Sequence, residues 1–166
     1  MSAPRPAPNP ALGFILRFLV VWGVLLGVVA LVPAILSGAI TGTLHSSRAA
    51  LALFGIRAHI LADVLAAGAA QVRIIPDCTP VFPFATLAAA ILAFPATWRA
   101  RLVGLAAALP LLWVYNVVRV LVSFAVLATK PALFDLVHGV LWQAFTIVFL
   151  LGLFLLWARA AAPRPA

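Results

Sequence analysis

Three side chains that can do chemistry stand out in a sequence that is otherwise mostly apolar. Cys78 ends the most polar stretch of the chain, Arg119 lies inside a long apolar run, and His138 lies near the start of the next run. Ionisable groups are costly in hydrocarbon and by default indicate function. A thiol near an imidazole permits nucleophilic catalysis, in which the imidazole removes the thiol proton and later protonates a leaving amine.

The neighbours of the cysteine and the histidine favour this chemistry. Thr79 and Pro80 are typical of an N-cap and a first helical position, so the Cys78 sulfur would lie beside a helix N-terminus that favours the thiolate. Asp135 precedes His138 by three residues and, on one helical face, could hold the imidazole tautomer.

Arg119 belongs to a polar stripe on an apolar helix. Asn116, three residues before it, and Ser123, four residues after it, share its helical face. A guanidinium offers five donors in a fixed fork, which suits an oxyanion, a carbonyl or a carboxylate. We therefore predict Arg119 as a catalytic residue, with Asn116 and Ser123 in support.

Each of these residues also has a purely structural interpretation. A single membrane cysteine often packs in the core, and a histidine near a helix end often lies at the membrane interface. Arg119 would need a buried acid as partner, yet all three aspartates lie in or near the outer loops.

His45 and His59 have no cluster of Cys or carboxylate beside them, so no metal site is predicted. The sequence has no phosphate-binding loop or dinucleotide fingerprint, and no cofactor is predicted.

The composition determines the environment in which this chemistry would occur. Of the 166 residues, 66% are hydrophobic and 8% are charged. Soluble domains are about half apolar and a quarter charged, so a water-soluble fold is excluded. The net charge of +8 comes from single residues between apolar runs. These charges indicate which side of the membrane each loop faces, and they suit contacts with anionic membrane lipids. They do not form the basic face that binds nucleic acid.

Four apolar stretches predict an all-α integral membrane protein with about four transmembrane helices. The helices are expected over 12–36, 80–98, 102–129 and 133–157, within one membrane-embedded domain over 12–157. Residues 1–11 are expected to form a disordered cytoplasmic tail, and 158–166 a basic one.

Residues 37–79, between the first two predicted helices, form the expected extracytoplasmic segment. Within it, Ser46–Leu53 is typical of a short surface helix. Gly55–Val64 and Val72–Ile75 could form a hairpin or an interfacial helix, and periodicity does not decide between them.

The distribution of basic residues predicts the orientation. One side of the membrane receives six positive residues and no acid, namely Arg5, Arg17, Arg99, Arg101, Arg159 and Arg164. The other side receives four positive residues and three aspartates. Basic loops face the cytoplasm, so both termini are expected there. Arg119 would then lie about 15 Å from the outer end of its helix and His138 about 8 Å from the start of its own, both in the outer half of the membrane.

Several motifs in this order resemble the exosortase/archaeosortase family of membrane cysteine transpeptidases. They are Cys78 at a helix start, AFPATWRARLVGL over 93–105, NVVRV over 116–120 and PALFDLVHGVLWQ over 131–143. The similarity covers roughly residues 50–157, and its latter half is similar to the short exosortase H type. Many members carry a small residue and Gly after the cysteine where this chain has Thr79-Pro80, and most have additional N-terminal helices.

The resemblance implies an enzyme of the bacterial inner membrane. Such enzymes cleave a C-terminal signal made of a short motif, a membrane helix and a basic cluster, and transfer the exported protein to a surface acceptor, often in systems linked to exopolysaccharide machinery. By motif position Cys78 is the nucleophile, Arg119 the essential arginine and His138 the third member. The expected partners are therefore such exported proteins, membrane lipids and exopolysaccharide machinery.

Two other classes of function stay open. One is a non-catalytic membrane assembly or scaffold protein of an export or exopolysaccharide system. The other is a small transporter that uses Arg119 as an anion site. Only the enzyme requires that modification of Cys78 abolish activity.

Overall fold

The computed structural model describes residues 9–162 as a mainly helical chain with one small sheet. The elements in chain order are α1 (Pro10–Leu31), α2 (Pro33–Leu53), β1 (His59–Leu61), β2 (Val64–Ala67), β3 (Ala70–Arg73), a 3-10 turn (Pro76–Cys78), α3 (Val81–Ala93), α4 (Trp98–Thr129), a second 3-10 turn (Pro131–Leu133), a π-helical segment (Leu136–Leu141) and α5 (Trp142–Ala161).

Within residues 9–162, three helical segments are long and apolar enough to span a bilayer: Pro10–Leu31, Trp98–Thr129 and Pro131–Ala161. These segments are compatible with the predicted all-α membrane protein. The remaining expected span, 80–98, is different. Its helix, α3, has only 13 residues and is about 20 Å long, whereas the hydrocarbon core of a bilayer is about 30 Å thick. The helix ends at Ala93, because Phe94 precedes Pro95 and is extended, as residues before proline usually are.

Proline also ends the first helix earlier than expected. The predicted helix over 12–36 stops at Leu31, because Val32 precedes Pro33 and is driven out of the helical conformation. A second helix, α2, then begins at Pro33 and continues for 21 residues. The expected short helix over Ser46–Leu53 is the last part of α2, which begins 13 residues earlier than predicted.

The rest of that segment forms a three-stranded antiparallel meander in the order β1-β2-β3. Its register pairs His59 with Ala66 and Val64 with Arg73. The turn between β2 and β3 contains Gly68 at φ 59°, a conformation that glycine adopts without strain. The sheet resolves the choice between hairpin and interfacial helix, and it adds a small β element to the expected all-α class.

The sheet covers the ends of α2 and α4. Leu65 and Val72 of the sheet, and Ile74 directly after β3, are buried in one cluster with Leu51 of α2 and Phe124 of α4. Apolar burial of this kind is the main stabilising contribution to such a small layer. The Cys78 side chain lies in the same core cluster.

At the opposite end of the bundle, α4 and α5 approach each other closely. The Trp157 indole Nε1 donates a hydrogen bond to the Ala100 carbonyl at 3.1 Å. A Cβ at Gly104 would lie 2.4 Å from that same indole nitrogen, so glycine is required there. The α3 helix packs against α1, where the Trp22 indole donates to the Thr86 hydroxyl at 3.1 Å.

The predicted tails are described only in part. Residues 10–11 belong to α1 and 158–161 to α5, so these positions are helical. Residues 1–8 and 163–166 lie outside the described residues.

Candidate functional site

One face of α4 positions the predicted site. Asn116, Arg119 and Ser123 follow one another at helical spacing and are all buried, with exposed fractions of 3%, 7% and 1%. They form the polar stripe that the sequence predicted, and the structure buries it inside the protein and away from lipid. Buried polar groups are costly unless they are paired, so their partners identify what the stripe does.

Two side chains of this stripe bind the main chain around the cysteine. The Asn116 amide Nδ2 donates to the Cys78 carbonyl at 2.9 Å, and the Arg119 Nη1 donates to the Asp77 carbonyl at 3.0 Å. These two carbonyls are consecutive, so the two hydrogen bonds hold the backbone of the 3-10 turn in one orientation. The position of Cys78 is therefore determined by α4, which is about 40 residues further along the chain.

The local backbone around the cysteine differs from the expected helix cap. The Thr79 hydroxyl donates to the Pro76 carbonyl at 2.7 Å and caps no helix. Pro80 occupies the N-cap position and α3 begins at Val81. The prediction of Thr79 as N-cap was wrong, because its hydroxyl closes the preceding 3-10 turn. Cys78 nevertheless lies directly before the α3 N-terminus.

The thiol is buried. Cys78 is a free cysteine with 4% of its surface exposed, in a cluster with Val120 and Phe124 of α4 and Leu44 of α2. The thiol therefore has little contact with the surroundings of the protein.

His138 lies in the π-helical segment Leu136–Leu141. Its Nδ1 is 3.4 Å from the Ser123 hydroxyl of α4, and its ring stacks on Phe134 with centroids 5.1 Å apart. Segments with π-helical hydrogen bonding are rare and frequent at functional sites. The imidazole is half-buried, and its orientation is set from one side by a hydroxyl and from the other by an aromatic ring.

Asp135 does not hold the imidazole as predicted. It is exposed, and within residues 9–162 no hydrogen bond joins it to His138. The physical reason is the π-helical turn that begins at Leu136, which changes the angular spacing on which the expected alignment of positions three apart depends. The Ser123 hydroxyl is the group that contacts the imidazole instead.

Arg119 is a buried cation that the described part of the chain pairs with no carboxylate. The one ion pair among residues 9–162 joins Arg73 to Asp63 at 3.5 Å on the exposed sheet. The Arg119 Nε has no hydrogen-bond partner. The hydrogen-bond partner of the Arg119 side chain among the described residues is a main-chain carbonyl, that of Asp77.

The structure thus brings five of the six predicted site residues to one face of α4 and leaves Asp135 at the surface. Within the described residues, no hydrogen bond connects the Cys78 thiol to His138, so the two are linked only through α4. No three His, Cys or Asp side chains in that range could hold a metal ion together.

Two buried residues were missed by the sequence analysis. Thr43 and Ser47 of α2 are completely buried, although they lie in the segment that was expected to be outside the bundle. Their spacing of four residues on one helical face was the available signal.

The structure leaves Arg119 where the predicted helix placed it along α4. Arg119 follows Arg99 by 20 residues, or about 30 Å of helix, which is about the thickness of a bilayer core. It precedes the end of α4 at Thr129 by 10 residues, or about 15 Å. The site residues of α4 therefore lie in the half of this helix away from Arg99.

Comparisons of the chain with protein-family models, curated proteins and solved structures gave no match.

Proposed function

We propose that this protein is a membrane-embedded cysteine peptidase or transpeptidase of the exosortase type. It cleaves the C-terminal sorting signals of exported proteins through an acyl-thioester on Cys78 and transfers them to a surface acceptor. The observation that carries the proposal is the polar face of α4, which binds the main chain at Cys78 through Asn116 and Arg119 and contacts His138 through Ser123. The motif resemblance supports the same roles for Cys78, Arg119 and His138.

The reaction has two steps. His138 accepts the thiol proton, and the Cys78 sulfur attacks the carbonyl carbon of the scissile peptide bond. The carbon–nitrogen bond then breaks, the imidazolium gives its proton to the leaving amine, and a thioester remains on the enzyme. Water, or the amine or hydroxyl of an acceptor, gives a proton to His138 and attacks the thioester carbon. The carbon–sulfur bond breaks, and the Cys78 thiolate takes that proton back from the imidazolium, which restores the thiol.

In this mechanism Arg119 stabilises the negative charge that develops on the carbonyl oxygen. Its Nη1 is committed to the Asp77 carbonyl, whereas its Nε has no partner in the protein. A buried and preorganised donor with full positive charge is the kind of group that stabilises an oxyanion most strongly. The same hydrogen bond to Asp77 keeps the guanidinium next to the nucleophile's turn.

The proposed location is the bacterial inner membrane, with both termini cytoplasmic and the site on the extracytoplasmic side. Arg99, Arg101 and Arg159 lie at one end of the bundle and the site at the other, about 30 Å away, which supports this orientation. Reporter fusions at the loop before α4 test it. A periplasmic signal from that loop would contradict the topology and the outward-facing site.

The test of activity uses an exported reporter fused to a C-terminal segment from the same genome that contains a short motif, an apolar helix and an Arg cluster. We expect the wild-type protein to shorten the reporter, and Cys78→Ala and Cys78→Ser to leave it uncut at equal membrane abundance, because a hydroxyl of ordinary pKa does not replace a thiolate. Ser46→Ala is the control, since that hydroxyl donates only to carbonyls of its own helix, those of Gly42 at 2.7 Å and Thr43 at 3.3 Å. Full processing by Cys78→Ala would refute the proposal.

The second candidate is a non-catalytic assembly protein, which the burial of the thiol favours. In that case Cys78→Ala should support export as well as the wild type does. Treatment of membranes with a small permeant maleimide separates the candidates, because only an enzyme loses processing when the single cysteine is alkylated.

A further inference from the structure

Two hydroxyl groups on α2 are buried without a partner. Thr43 and Ser47 each have 0% of their surface exposed, and neither hydroxyl oxygen has a hydrogen-bond partner within the described residues. An unpaired buried hydroxyl is destabilising, and such groups in a native structure require an explanation.

Four other hydroxyls in the helices of this protein bond within their own helix. Ser46, Thr86, Thr129 and Thr146 each donate to the carbonyl four residues earlier. A helical serine or threonine can make that bond when its side chain points back along the helix, and the bond satisfies the hydroxyl locally. Thr43 and Ser47 do not make it, although Ser46 lies between them on the same helix.

The neighbours of α2 place both hydroxyls beside the site. Ala39, one turn before Thr43, lines a cavity of about 410 Å³ together with Pro80 and Trp113. Pro80 is two residues after the cysteine, and Trp113 is three residues before Asn116 on α4.

The neighbours of α2 along its length show that α2 and α4 run in the same direction. A Cβ at Gly42 would lie 2.7 Å from the Trp113 ring, and Leu51, later on α2, packs in one cluster with Val120 and Phe124, later on α4. Because the two helices are parallel and Ala39 and Trp113 line the same cavity, the residue one turn after Ala39 lies at about the level of the residue one turn after Trp113. This reasoning places Thr43 near the level of Asn116, and Ser47 near the level of Arg119.

We propose that Thr43 and Ser47 are substrate-binding residues, whose hydroxyls donate hydrogen bonds to main-chain carbonyls of the peptide beside the scissile bond. The inference rests on the proposed function and deepens it. The Arg119 Nε, which is also buried without a partner, is a donor only, so the ligand that satisfies all three groups must offer acceptors. The carbonyl oxygens of an extended peptide are such acceptors, and binding them is independent of side-chain sequence.

The experiment compares Thr43→Val and Ser47→Ala, which remove the hydroxyl at nearly constant volume, with Thr43→Ser, which keeps it. The reporter with its C-terminal signal is the substrate, and Ser46→Ala is the matched control. We expect Thr43→Val and Ser47→Ala each to lower kcat/KM about 5- to 10-fold, as the loss of one hydrogen bond does. Their thermal unfolding midpoints in detergent should be equal to or above that of the wild type, because an unpaired buried hydroxyl is removed. Thr43→Ser and Ser46→Ala should stay within about twofold of the wild type.

A second measurement reads binding without catalysis. In the Cys78→Ala background, with a mild oxidant added to accept the two electrons, Ser47→Cys should form a disulfide with a reporter that carries one cysteine beside its cleavage motif. Ser46→Cys should not. This readout remains informative if the valine variant fails to fold.

The outcomes separate this inference from the proposed function. Normal processing by Thr43→Val and Ser47→Ala, together with an inactive Cys78→Ala, would overturn the inference and leave the enzyme in place. Loss of membrane abundance in both variants, with no cross-link from position 47, would also overturn it and assign the hydroxyls to packing. If the wild type cleaves no such reporter, the proposed function fails and the inference fails with it.

Discussion

Arg119→Lys separates the charge of this residue from its geometry. The guanidinium is 7% exposed, donates through Nη1 to the Asp77 carbonyl at 3.0 Å and keeps Nε without a partner. A lysine ammonium retains the positive charge and can replace the first contact. It is a compact group on a flexible stem, and it cannot hold Asp77 and an oxyanion in the fixed planar arrangement of a guanidinium.

The expected size of the effect follows from this difference. If the Nε is the donor to the oxyanion, its loss should reduce the cleavage rate by about 10²- to 10³-fold, or about 3 to 4 kcal/mol of transition-state stabilisation. Arg119→Lys should therefore insert at normal abundance and process the reporter very slowly. Arg119→Ala should be no better, and it also leaves the Asp77 carbonyl without its partner.

The matched control lies at the other end of the same helix. Arg101 also donates to a main-chain carbonyl, that of Phe94 at 2.9 Å, and also has a buried Nε without a partner. Arg101→Lys makes the same chemical change far from the site, so processing should stay near that of the wild type. The assay measures reporter cleavage and steady-state membrane level for all three variants. An Arg119→Lys protein that cleaves within a few-fold of the wild type would refute the reasoning and remove Arg119 from the catalytic residues.

Three further predictions concern the groups that support this arrangement. Asn116→Leu removes the hydrogen bond to the carbonyl of the nucleophile and should slow cleavage at least about 10-fold at similar abundance, and equal rates would contradict the positioning role. Ser123→Ala should impair cleavage more than Asp135→Asn, because the serine hydroxyl contacts the imidazole and the aspartate is exposed, and the reverse order would restore the carboxylate as the orienting group. Gly104→Ala should lower the unfolding midpoint in detergent through its clash with Trp157, by a change equivalent to about 1–3 kcal/mol, whereas Gly23→Ala, in open space, should not.

The sequence by itself determined the membrane class and the polar stripe of α4. Hydropathy depends on composition over about 20 residues, and the common face of Asn116, Arg119 and Ser123 depends only on the period of a helix. Both are local properties, and they hold whatever the rest of the chain does. The roles of Cys78, Arg119 and His138 in catalysis stay predictions that the experiments above test.

Only the tertiary structure decided what this stripe contacts. The hydrogen bonds from α4 to the carbonyls at the cysteine join residues about 40 positions apart, and no local pattern specifies such a pairing. The residue that contacts the imidazole is Ser123 and not the predicted Asp135, because of a π-helical turn that helical periodicity does not predict. Thr43 and Ser47 were assigned to an external segment because their stretch is polar, and their burial follows from the packing of α2 on α4. Polarity reports the cost of burying a residue, whereas the partners that offset this cost are contributed by other parts of the chain.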